Sequence, residues 1–499
     1  MKTLGLGDNV FDIYRNLEVA YPGGNAVNVA VNAAQLHYHS SYLGNIADDS
    51  WGYEMKAVLK SCNVDTRHCY TIQDSSTKKC IEDVFNGERE FIEVDLGENW
   101  AGPMILNQQD LEYIDTFDIV FTSCNAKIEN EIYKLKSING IISYDFGEKE
   151  KYRNEDYFQK ICPYIDIAQF SMNHASQEDV LHMIHQYSLT MPILVTRGQD
   201  NPLFFIDNRL FEGKLKSIHA VDTMGAGDAY MTAFVCSLVE QGWKKKITLN
   251  DEWIITAMDK AASYAASVCL IHGSIGYPHH KKCLEAVIFD MDGVIVDSES
   301  HWQDMFASLV RENGQELSKE DRREFYGCSL EKEIDILSRY IHQSREDILN
   351  IRMDYSEKHP IQYGKHINKG VIDLIVYLKS KNKKLAIASS SLVKDIQKMM
   401  NECGLTQMFD LVVSGEMFEE SKPNPAIYNY TVELLNIPKE NIIVIEDSQY
   451  GIEAAIRAGL DVFALRNNEY QFDLSQAKFI FDNHSEIQEY INKVILKEK

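Results

Sequence analysis

The sequence has few basic residues and no closely paired cysteines. Its 50 Lys and Arg residues are outnumbered by 75 Asp and Glu, which gives a formal net charge of -25. Nucleic acids and anionic membranes are bound by clustered basic side chains, so this balance predicts neither as a partner. The ten cysteines are scattered without a C-x-x-C pair. Their spacing argues against a disulfide framework or a structural zinc site and favours reduced thiols in the cytoplasm.

Long apolar runs are also missing. No uncharged stretch approaches the roughly 20 residues that a membrane-spanning helix needs, and the first apolar run ends at Asp8, too early for a signal peptide. The 499 residues are 45% hydrophobic and 25% charged, which is typical of a globular protein with several domains. The Walker pattern G-x-x-x-x-G-K-[ST] is absent as well, so we expect no phosphate site of the P-loop kind.

A glycine turn at residues 222–228, Asp-Thr-Met-Gly-Ala-Gly-Asp, is the clearest candidate for an anion site. A predicted strand at 217–221 leads into this turn, and a predicted helix at 230–238 follows it. Glycines let a phosphate approach the backbone, and the first N–H groups of a helix suit its oxygens. Asp228 is then placed to take a proton from an attacking hydroxyl. The alternative is an ordinary strand-to-helix turn in which Asp228 is the N-cap.

The segments around this turn predict a parallel α/β sheet. Residues 2–7 form a predicted buried strand, the turn Gly23-Gly24-Asn25 opens a predicted helix at 26–36, and 77–96 reads as a β-hairpin. Four further predicted strands, at 119–122, 141–145, 165–170 and 192–196, alternate with helices. Because ligands bind beyond the carboxyl ends of such strands, we expect Asp145, Thr196 and Asp228 to converge.

Three ordered motifs in residues 1–277 resemble the ribokinase-like (PfkB) carbohydrate kinases, and among them the fructoselysine 6-kinases. These motifs are Gly7-Asp8-Asn9 with Asp12, the run from Gly23 to Asn28, and residues 222–228. The resemblance implies that residues 1–278 form an α/β domain of three layers with a small β lid. It also implies ATP and Mg²⁺ as cofactors, a small sugar as substrate, and a homodimer formed through the lid.

The resemblance assigns roles residue by residue. The catalytic base is Asp228, beside an anion hole formed by Gly225, Ala226 and Gly227. The sugar pocket comprises Asp8, Asp12, Gly23, Gly24, Asn25 and Asn28. The ATP-binding residues are Thr196, Gly198, His272 and Gly273. Two positions depart from the family pattern. Asn201 replaces a glycine of the nucleotide loop, and because asparagine tolerates a left-handed backbone, we expect the turn to persist. Of an Asn-x-x-Glu pair that the family associates with magnesium, only Glu178 remains.

A second set of motifs begins after a polar connector at 278–282. A predicted buried strand ends in Asp290-Met291-Asp292-Gly293, and two carboxylates at one strand end can supply a nucleophile and an acid/base. Further along the chain, Ser389 and Lys422 can bind phosphate. The pair Glu446-Asp447, at the end of another predicted strand, can hold magnesium.

Residues 284–499 resemble the haloacid dehalogenase superfamily, in its β-phosphoglucomutase-like branch. The resemblance implies a Rossmannoid domain with an α-helical cap at about 299–366. It makes Asp290 the nucleophile that forms an aspartyl phosphate, and Asp292 the acid/base and a backbone ligand of Mg²⁺. Ser389 and Lys422 bind the phosphate. The remaining metal ligands are Asp290 itself and Asp447, supported by Glu446.

The choice between phosphatase and mutase depends on two segments. Trp302 stands where mutases have a histidine, although His301 beside it can partly substitute. Residues 327–330 (Gly-Cys-Ser-Leu) lack the arginine that holds a second phosphate in mutases. Hydrolysis is therefore favoured, and a β-phosphoglucomutase-type isomerase is the alternative. A third alternative, a sugar sensor that keeps only the folds, is disfavoured because Asp228 and Asp290 are both present.

The sequence thus predicts a bifunctional enzyme. Its first domain is expected to phosphorylate the 6-hydroxyl of a fructosamine such as fructoselysine, and the alternative is that it acts on another sugar such as fructose or ribose. Its second domain hydrolyses a sugar phosphate. Opposed activities on one compound would waste ATP, so we expect the two sites to act on different compounds, or on one carbon skeleton before and after another enzyme cleaves it.

Overall fold

The computed structural model describes residues 1–85, 88–279, 283–325, 330–467 and 472–496. Contacts between Cα atoms divide the chain into two compact units, Met1–Lys281 and Lys282–Lys499. Each unit has its own sheets and its own hydrophobic clusters. Among the described residues, the helices are all too short or too polar to cross a membrane.

The first unit contains fourteen strands and seven α-helices within its described residues. The strands are β1 (Lys2–Leu6), β2 (Val10–Tyr14), β3 (Val19–Gly23), β4 (His39–Leu43), β5 (Asn45–Ala47), β6 (Tyr70–Ile72), β7 (Lys79–Phe85), β8 (Glu88–Asp95), β9 (Ile119–Ser123), β10 (Ile141–Asp145), β11 (Ile167–Ser171), β12 (Ile193–Arg197), β13 (Asp200–Ile206) and β14 (Arg209–Glu212). The helices are α1 (Asn25–Gln35), α2 (Ser50–Ser61), α3 (Gln108–Ile114), α4 (Glu155–Ile161), α5 (Gln177–Gln186), α6 (Ala226–Glu240) and α7 (Asp251–Val268).

An eight-stranded sheet forms the centre of this unit, in the order β14-β13-β12-β11-β10-β9-β1-β4. The six strands from β12 to β4 are parallel to one another. The β13-β14 hairpin extends one edge, where β13 pairs antiparallel with β12 and β14 pairs antiparallel with β13. Alternate residues of a strand face opposite sides of the sheet: Val120 belongs to one hydrophobic cluster, and its neighbours Ile119 and Phe121 belong to another. The sheet is therefore covered on both faces, and the four predicted strands from 119 to 196 are confirmed with ends shifted by one or two residues.

A separate four-stranded sheet, called the small sheet here, has the order β3-β2-β7-β8. The predicted hairpin at 77–96 is confirmed as the antiparallel pair β7-β8, while its predicted turn, Asn86-Gly87, lies outside the described residues. The last strand of the small sheet, β8, exposes apolar side chains, with Phe91 at 54% and Val94 at 41% exposure. This exposed edge is part of the sheet that the sequence analysis interpreted as a lid.

Two sequence predictions in this unit are wrong in detail, and a third, that the turn after Thr196 persists, holds for a different reason. Residues 217–221 form no strand, and all five are exposed. Helix α6 begins at Ala226 rather than at 230, so Asp228 lies inside its first turn. Asn201 lies in the extended strand β13 and does not need a left-handed backbone, since Gly198 supplies the positive φ of that turn, +68°.

The second unit contains a six-stranded parallel sheet in the order β17-β16-β15-β18-β19-β20. Its strands are β15 (Ala286–Phe289), β16 (Lys384–Ser389), β17 (Leu411–Ser414), β18 (Ile442–Glu446), β19 (Asp461–Leu465) and β20 (Phe479–Phe481). Its helices are α8 (Ser298–Glu312), α9 (Lys319–Glu324), α10 (Leu330–Leu337), α11 (Arg345–Lys358), α12 (Val371–Ser380), α13 (Val393–Glu402), α14 (Ala426–Leu435), α15 (Gln449–Arg457) and α16 (His484–Tyr490). Helices α8 to α11 interrupt the α/β alternation between β15 and β16, and residues of α8, α10 and α11, with Phe325 after α9, form a hydrophobic cluster of their own.

Candidate active sites

The glycine turn of the first unit presents an uncapped helix N-terminus. Gly225 is the N-cap residue of α6, with φ of +71°, and no side chain accepts a hydrogen bond from the first turn. A Cβ at this position would lie 2.6 Å from the Cβ of Ser274, so glycine is required for both its backbone and its size. The N-cap of α6 is Gly225, so the interpretation of Asp228 as the N-cap is wrong, and the glycine turn lets an anion approach the start of this helix.

Two asparagines of α1 hold the Asp228 carboxylate from both sides. Asn25 Nδ2 donates to Asp228 Oδ1 at 2.8 Å, and Asn28 Nδ2 donates to Oδ2 at 2.7 Å. Asn25 Nδ2 also donates to Asp145 Oδ2 at 3.0 Å, so one amide joins two carboxylates. Thr196 is also close, because a Cβ on Gly227, the residue before Asp228, would lie 3.8 Å from Thr196 Oγ1. The predicted convergence of Asp145, Thr196 and Asp228 is therefore confirmed.

The orientation of both amides is fixed by further hydrogen bonds. Asn125 Nδ2 donates to Asn25 Oδ1 at 2.7 Å, and Ser274 Oγ donates to Asn28 Oδ1 at 2.7 Å. Because each amide oxygen accepts a hydrogen bond, each amide nitrogen must face a carboxylate. Sequence reasoning missed Asn125 and Ser274. The only signal for Asn125 was its place directly after the predicted strand at 119–122.

Acidic side chains accumulate in this site. Burial, followed by the nearby charge of Asp228, raises the pKa of Asp145 to about 7. Burial also raises the pKa of Asp8, which the Lys78 ammonium only partly offsets, and Asp8 Oδ1 is buried without a hydrogen-bond partner among the described residues. Asp12, on β2, is 4% exposed. The site is therefore rich in hydrogen-bond acceptors, as a pocket for sugar hydroxyls requires.

The predicted nucleotide residues lie in strand β12, in the turn that follows it, and in the loop at 272–273. Thr196 Oγ1 is 3.3 Å from Ser171 Oγ at the end of the sheet. Gly273 N donates to Asp222 Oδ2 at 2.9 Å, while the ring of His272 next to it is exposed. Glu178 is exposed in the first turn of α5, and no described hydrogen bond or ion pair joins it to the Asp228 cluster.

In the second unit, a buried lysine joins two carboxylates. Lys422 Nζ lies 2.6 Å from Asp290 Oδ1 and 2.7 Å from Glu446 Oε1, and it donates to the carbonyl oxygen of Ala388 at 3.0 Å. Burial opposes the lysine charge, but Asp290 and then Glu446 outweigh it and raise the pKa of Lys422 well above its ordinary value. Burial, despite Lys422, raises the pKa of Asp290 to about 7.

Three carboxylates meet at the ends of β15 and β18. Each of Asp290, Glu446 and Asp447 offers one oxygen within 4.8 Å of the other two. Burial and the charges of Glu446 and Asp290 raise the pKa of Asp447 well above its ordinary value. The oxygens of Glu446 accept hydrogen bonds from Lys422, Tyr428, Asp447 N and Ser448.

Two hydroxyls orient the Asp292 carboxylate. Ser298 Oγ donates to Oδ1 at 2.5 Å, and Ser391 Oγ donates to Oδ2 at 2.6 Å. Ser389, predicted to bind phosphate, is 1% exposed, and its Oγ accepts from Ser391 N at 3.1 Å. Sequence reasoning missed the roles of Ser298 and Ser391. Their signal was position, at the first residue of a predicted helix and two residues after Ser389.

The residues that distinguish mutases from phosphatases are described only in part. Residues 327–329 lie outside the described residues. Trp302 packs against the α8 to α11 cluster, with the guanidinium of Arg352 5.7 Å from its ring centroid. Burial, together with the nearby His366, lowers the pKa of His301 and keeps that ring neutral at pH 7.

Comparison with known proteins assigns both units. The model of the pfkB family of carbohydrate kinases matches residues 17–279, more than half of the chain. The model of the haloacid dehalogenase-like hydrolases matches residues 287–465. A phosphorylated carbohydrates phosphatase of Thermotoga maritima is 30% identical over 180 residues, 36% of this chain and 83% of that protein. The chain belongs to both families.

Two further matches concern the pfkB unit. A fructosamine kinase of Bacillus subtilis is 29% identical over 281 residues, which are 56% of this chain and 94% of that protein. The crystal structure of a fructokinase of Vibrio cholerae is 20% identical, with a TM-score of 0.45, over 55% of this chain and 94% of that one. With both family matches, the predicted fold class is confirmed: a ribokinase-like carbohydrate kinase joined to a Rossmannoid haloacid dehalogenase-like phosphatase.

The carboxylate group of the hydrolase unit fits magnesium. Its donors are all oxygens, which Mg²⁺ prefers, and three acidic groups within 4.8 Å of one another repel unless a cation or protons separate them. Burial and that repulsion together raise the pKa of Asp447. A Mg²⁺ ion held by Asp290 and Asp447 would relieve the repulsion.

Proposed function

We propose that the kinase unit, residues 1–278, transfers phosphate from ATP to the 6-hydroxyl of a fructosamine. The observation that carries this proposal is the Asp228 carboxylate, held by Asn25 and Asn28 beside the uncapped N-terminus of α6. Asp228 accepts the proton of the sugar hydroxyl while the hydroxyl oxygen bonds to the γ-phosphorus, and the bond from the γ-phosphorus to ADP breaks. The N–H groups around Gly225 stabilise the charge on the transferred phosphate.

The substrate class is supported by the acceptor-rich pocket. The Asp12 carboxylate and Asp8 Oδ1 are buried and can accept hydrogen bonds from sugar hydroxyls beside Asn25, and the relative in Bacillus subtilis is named a fructosamine kinase. The nucleotide would lie near Thr196, Gly198, His272 and Gly273. Mg²⁺ would neutralise the phosphates of the nucleotide, and Glu178 is the candidate ligand that the family's sequence pattern indicates.

We propose that the hydrolase unit, residues 284–499 with a helical cap at about 299–366, hydrolyses a sugar phosphate. Asp290 attacks phosphorus and forms an aspartyl phosphate while Asp292 donates a proton to the leaving sugar oxygen; Asp292 then takes a proton from the water that hydrolyses the aspartyl phosphate. Lys422 and Ser389 neutralise and orient the phosphate. Asp290, Asp447, the Asp292 carbonyl and Glu446 are the proposed magnesium site, and the bound ion would offset the negative charge of phosphate and nucleophile.

The two sites are proposed to use different substrates in the cytoplasm, since phosphorylating and dephosphorylating one compound would only consume ATP. The cysteines within the described residues are free thiols, which suits a reducing compartment. The apolar edge of the small sheet, including Phe91 and Val94, supports a homodimer formed through that sheet.

Paired substitutions test the two-site proposal. Asp228→Asn should abolish sugar-dependent ATP consumption and leave phosphate release from sugar phosphates unchanged, whereas Asp290→Asn should do the reverse. Both variants are measured on the full chain against a panel of fructosamines, fructose, ribose and hexose phosphates. Loss of both activities in either variant would contradict the proposal. Transfer of phosphate between C1 and C6 of a hexose phosphate would identify the second unit as a mutase instead.

A further inference from the structure

A buried hydrogen bond joins the small sheet to the turn that forms the proposed anion hole. Tyr14, the last residue of β2, is fully buried, and its hydroxyl donates to Asp222 Oδ2 at 2.6 Å. Asp222 is also fully buried and is the first residue of the 222–228 turn. The two residues are 208 positions apart in sequence. The bond therefore ties a strand of the small sheet to the phosphate end of the site.

The same carboxylate holds two backbone amides in the phosphate region. Asp222 Oδ1 accepts from Met224 N at 2.9 Å, and Oδ2 accepts from Gly273 N at 2.9 Å. Met224 directly precedes the N-cap Gly225, and Gly273 lies on the loop assigned to ATP. Because both amides depend on one carboxylate, the orientation of Asp222 sets the geometry of the turn and of the nucleotide loop together.

The surroundings of this bond are apolar. Tyr14, Tyr21, Val19, Val84 and Met224 form a small hydrophobic cluster separate from the two large ones of the unit. The rings of Tyr14 and Tyr21 are 5.1 Å apart between centroids. In such surroundings a hydrogen bond to a carboxylate is strong and the unpaired carboxylate is costly. The hydroxyl of Tyr14 is thus one of three neutral donors to Asp222, with the amides of Met224 and Gly273, and it is the one that comes from the small sheet.

Strand β2 also carries a residue of the proposed sugar pocket. Asp12 and Tyr14 are two positions apart on β2, so their side chains leave the same face of the strand. A sugar bound to Asp12 would fix β2, and β2 fixes Asp222 through Tyr14. One strand thereby links the sugar to the backbone amides beside the phosphate.

We propose that Tyr14 is a positioning residue that couples the sugar pocket to the anion hole of the kinase unit. This inference rests on the proposed kinase function. Its consequence is that the turn is fully ordered for phosphoryl transfer when β2 is held in place. Loss of the Tyr14 hydroxyl should then slow phosphoryl transfer without weakening sugar binding, and should reduce the stimulation of ATP turnover by sugar.

Tyr14→Phe tests the coupling, because it removes only the hydroxyl and keeps the ring in the cluster. We expect kcat to fall about tenfold or more, as for loss of a hydrogen bond to a charged group, with the KM for sugar within twofold of the parent. The ratio of ATP turnover with sugar to that without sugar should fall as well. The matched control is Tyr230→Phe, a buried tyrosine of α6 whose hydroxyl donates to the carbonyl of Met258 at 3.2 Å. This control should leave kcat, KM and the ratio unchanged.

Hydrogen exchange provides a readout that needs no substrate. In Tyr14→Phe, amides of peptides covering 222–226 and 270–275 should exchange about tenfold faster than in the parent, while Tyr230→Phe leaves them unchanged. If kcat stays within twofold and exchange does not change, Tyr14 has no positioning role. If the parent shows no sugar-dependent ATP consumption, the proposed kinase function fails, but the exchange experiment still decides whether Tyr14 positions the turn.

Discussion

Replacing Lys422 with methionine should destabilise the hydrolase unit strongly. Methionine keeps most of the side-chain length but removes the charge that lies 2.6 Å from Asp290 and 2.7 Å from Glu446. The lysine side chain is 7% exposed and that of Glu446 is fully buried, so water cannot take the place of the ammonium. Removing one partner of a buried ion pair costs about 3 to 5 kcal/mol. That is a large part of the roughly 5 to 15 kcal/mol that stabilises a typical domain.

The appropriate assay is hydrogen exchange of the full chain, which reports the stability of each unit separately. Protection of the amides in β15 and β18 should fall by about 3 to 5 kcal/mol in Lys422→Met, while protection in β9 and β10 stays unchanged. Lys379→Met is the matched control, since Lys379 pairs with Asp410 at 3.0 Å with both side chains partly exposed. An exposed pair of this kind contributes at most about 1 kcal/mol.

Activity gives a second, independent readout of the same variant. Phosphate release should be lost in Lys422→Met, because the phosphate and the nucleophile would no longer be neutralised, whereas kinase activity of the same preparation should be retained. A loss of protection below about 1 kcal/mol in β15 and β18 would refute the reasoning, since it would mean that the two carboxylates do not depend on the lysine.

Three further substitutions have defined outcomes. The pKa of Asp145 is raised in the folded protein to about 7. The free energy of unfolding of the parent, compared with that of Asp145→Asn, should therefore fall by about 4 kcal/mol as the pH rises from about 4 to about 7. Hydrogen exchange in the kinase unit measures this difference. Gly293→Ala should abolish phosphate release and spare the kinase, because Gly293 has φ of +78° and a Cβ there would lie 1.9 Å from Asp447 Oδ2; residual phosphatase above one-tenth of the parent would contradict this. Asn28→Ala removes one donor to Asp228 and should lower the kinase kcat by about 10- to 100-fold, in a steady-state assay that leaves phosphate release unchanged.

Much of the fold follows from local patterns. Buried apolar runs such as Ile141–Asp145 and Ile193–Arg197 are short, rich in β-branched residues and bounded by turns, so their identity as strands depends little on distant parts of the chain. The run at 217–221 also contains two β-branched residues, yet it is exposed and forms no strand. Whether such a run becomes a strand depends on a sheet edge that lies elsewhere in the sequence.

The motif residues were also recognisable from sequence, because their backbone requirements are local. Gly225 needs a left-handed backbone and Asp290 needs a strand end, and both requirements leave a signature in consecutive residues. The partners of these residues left no such signature. Asn125 lies 100 positions from the Asn25 amide that it orients. Lys422 was recognisable as a phosphate-binding residue, but its contact with Asp290, 132 positions away, was not.

The sequence by itself therefore determined which residues carry charge, which segments form strands and helices, and that two sets of motifs follow one another in the chain. Only the tertiary structure decided how the charged groups are paired: Asp228 with two asparagines, Asp290 with Lys422, and Tyr14 with Asp222. The physical reason is range. Backbone propensity acts over a few residues, whereas burial and hydrogen bonding depend on which distant segments the packed core brings together.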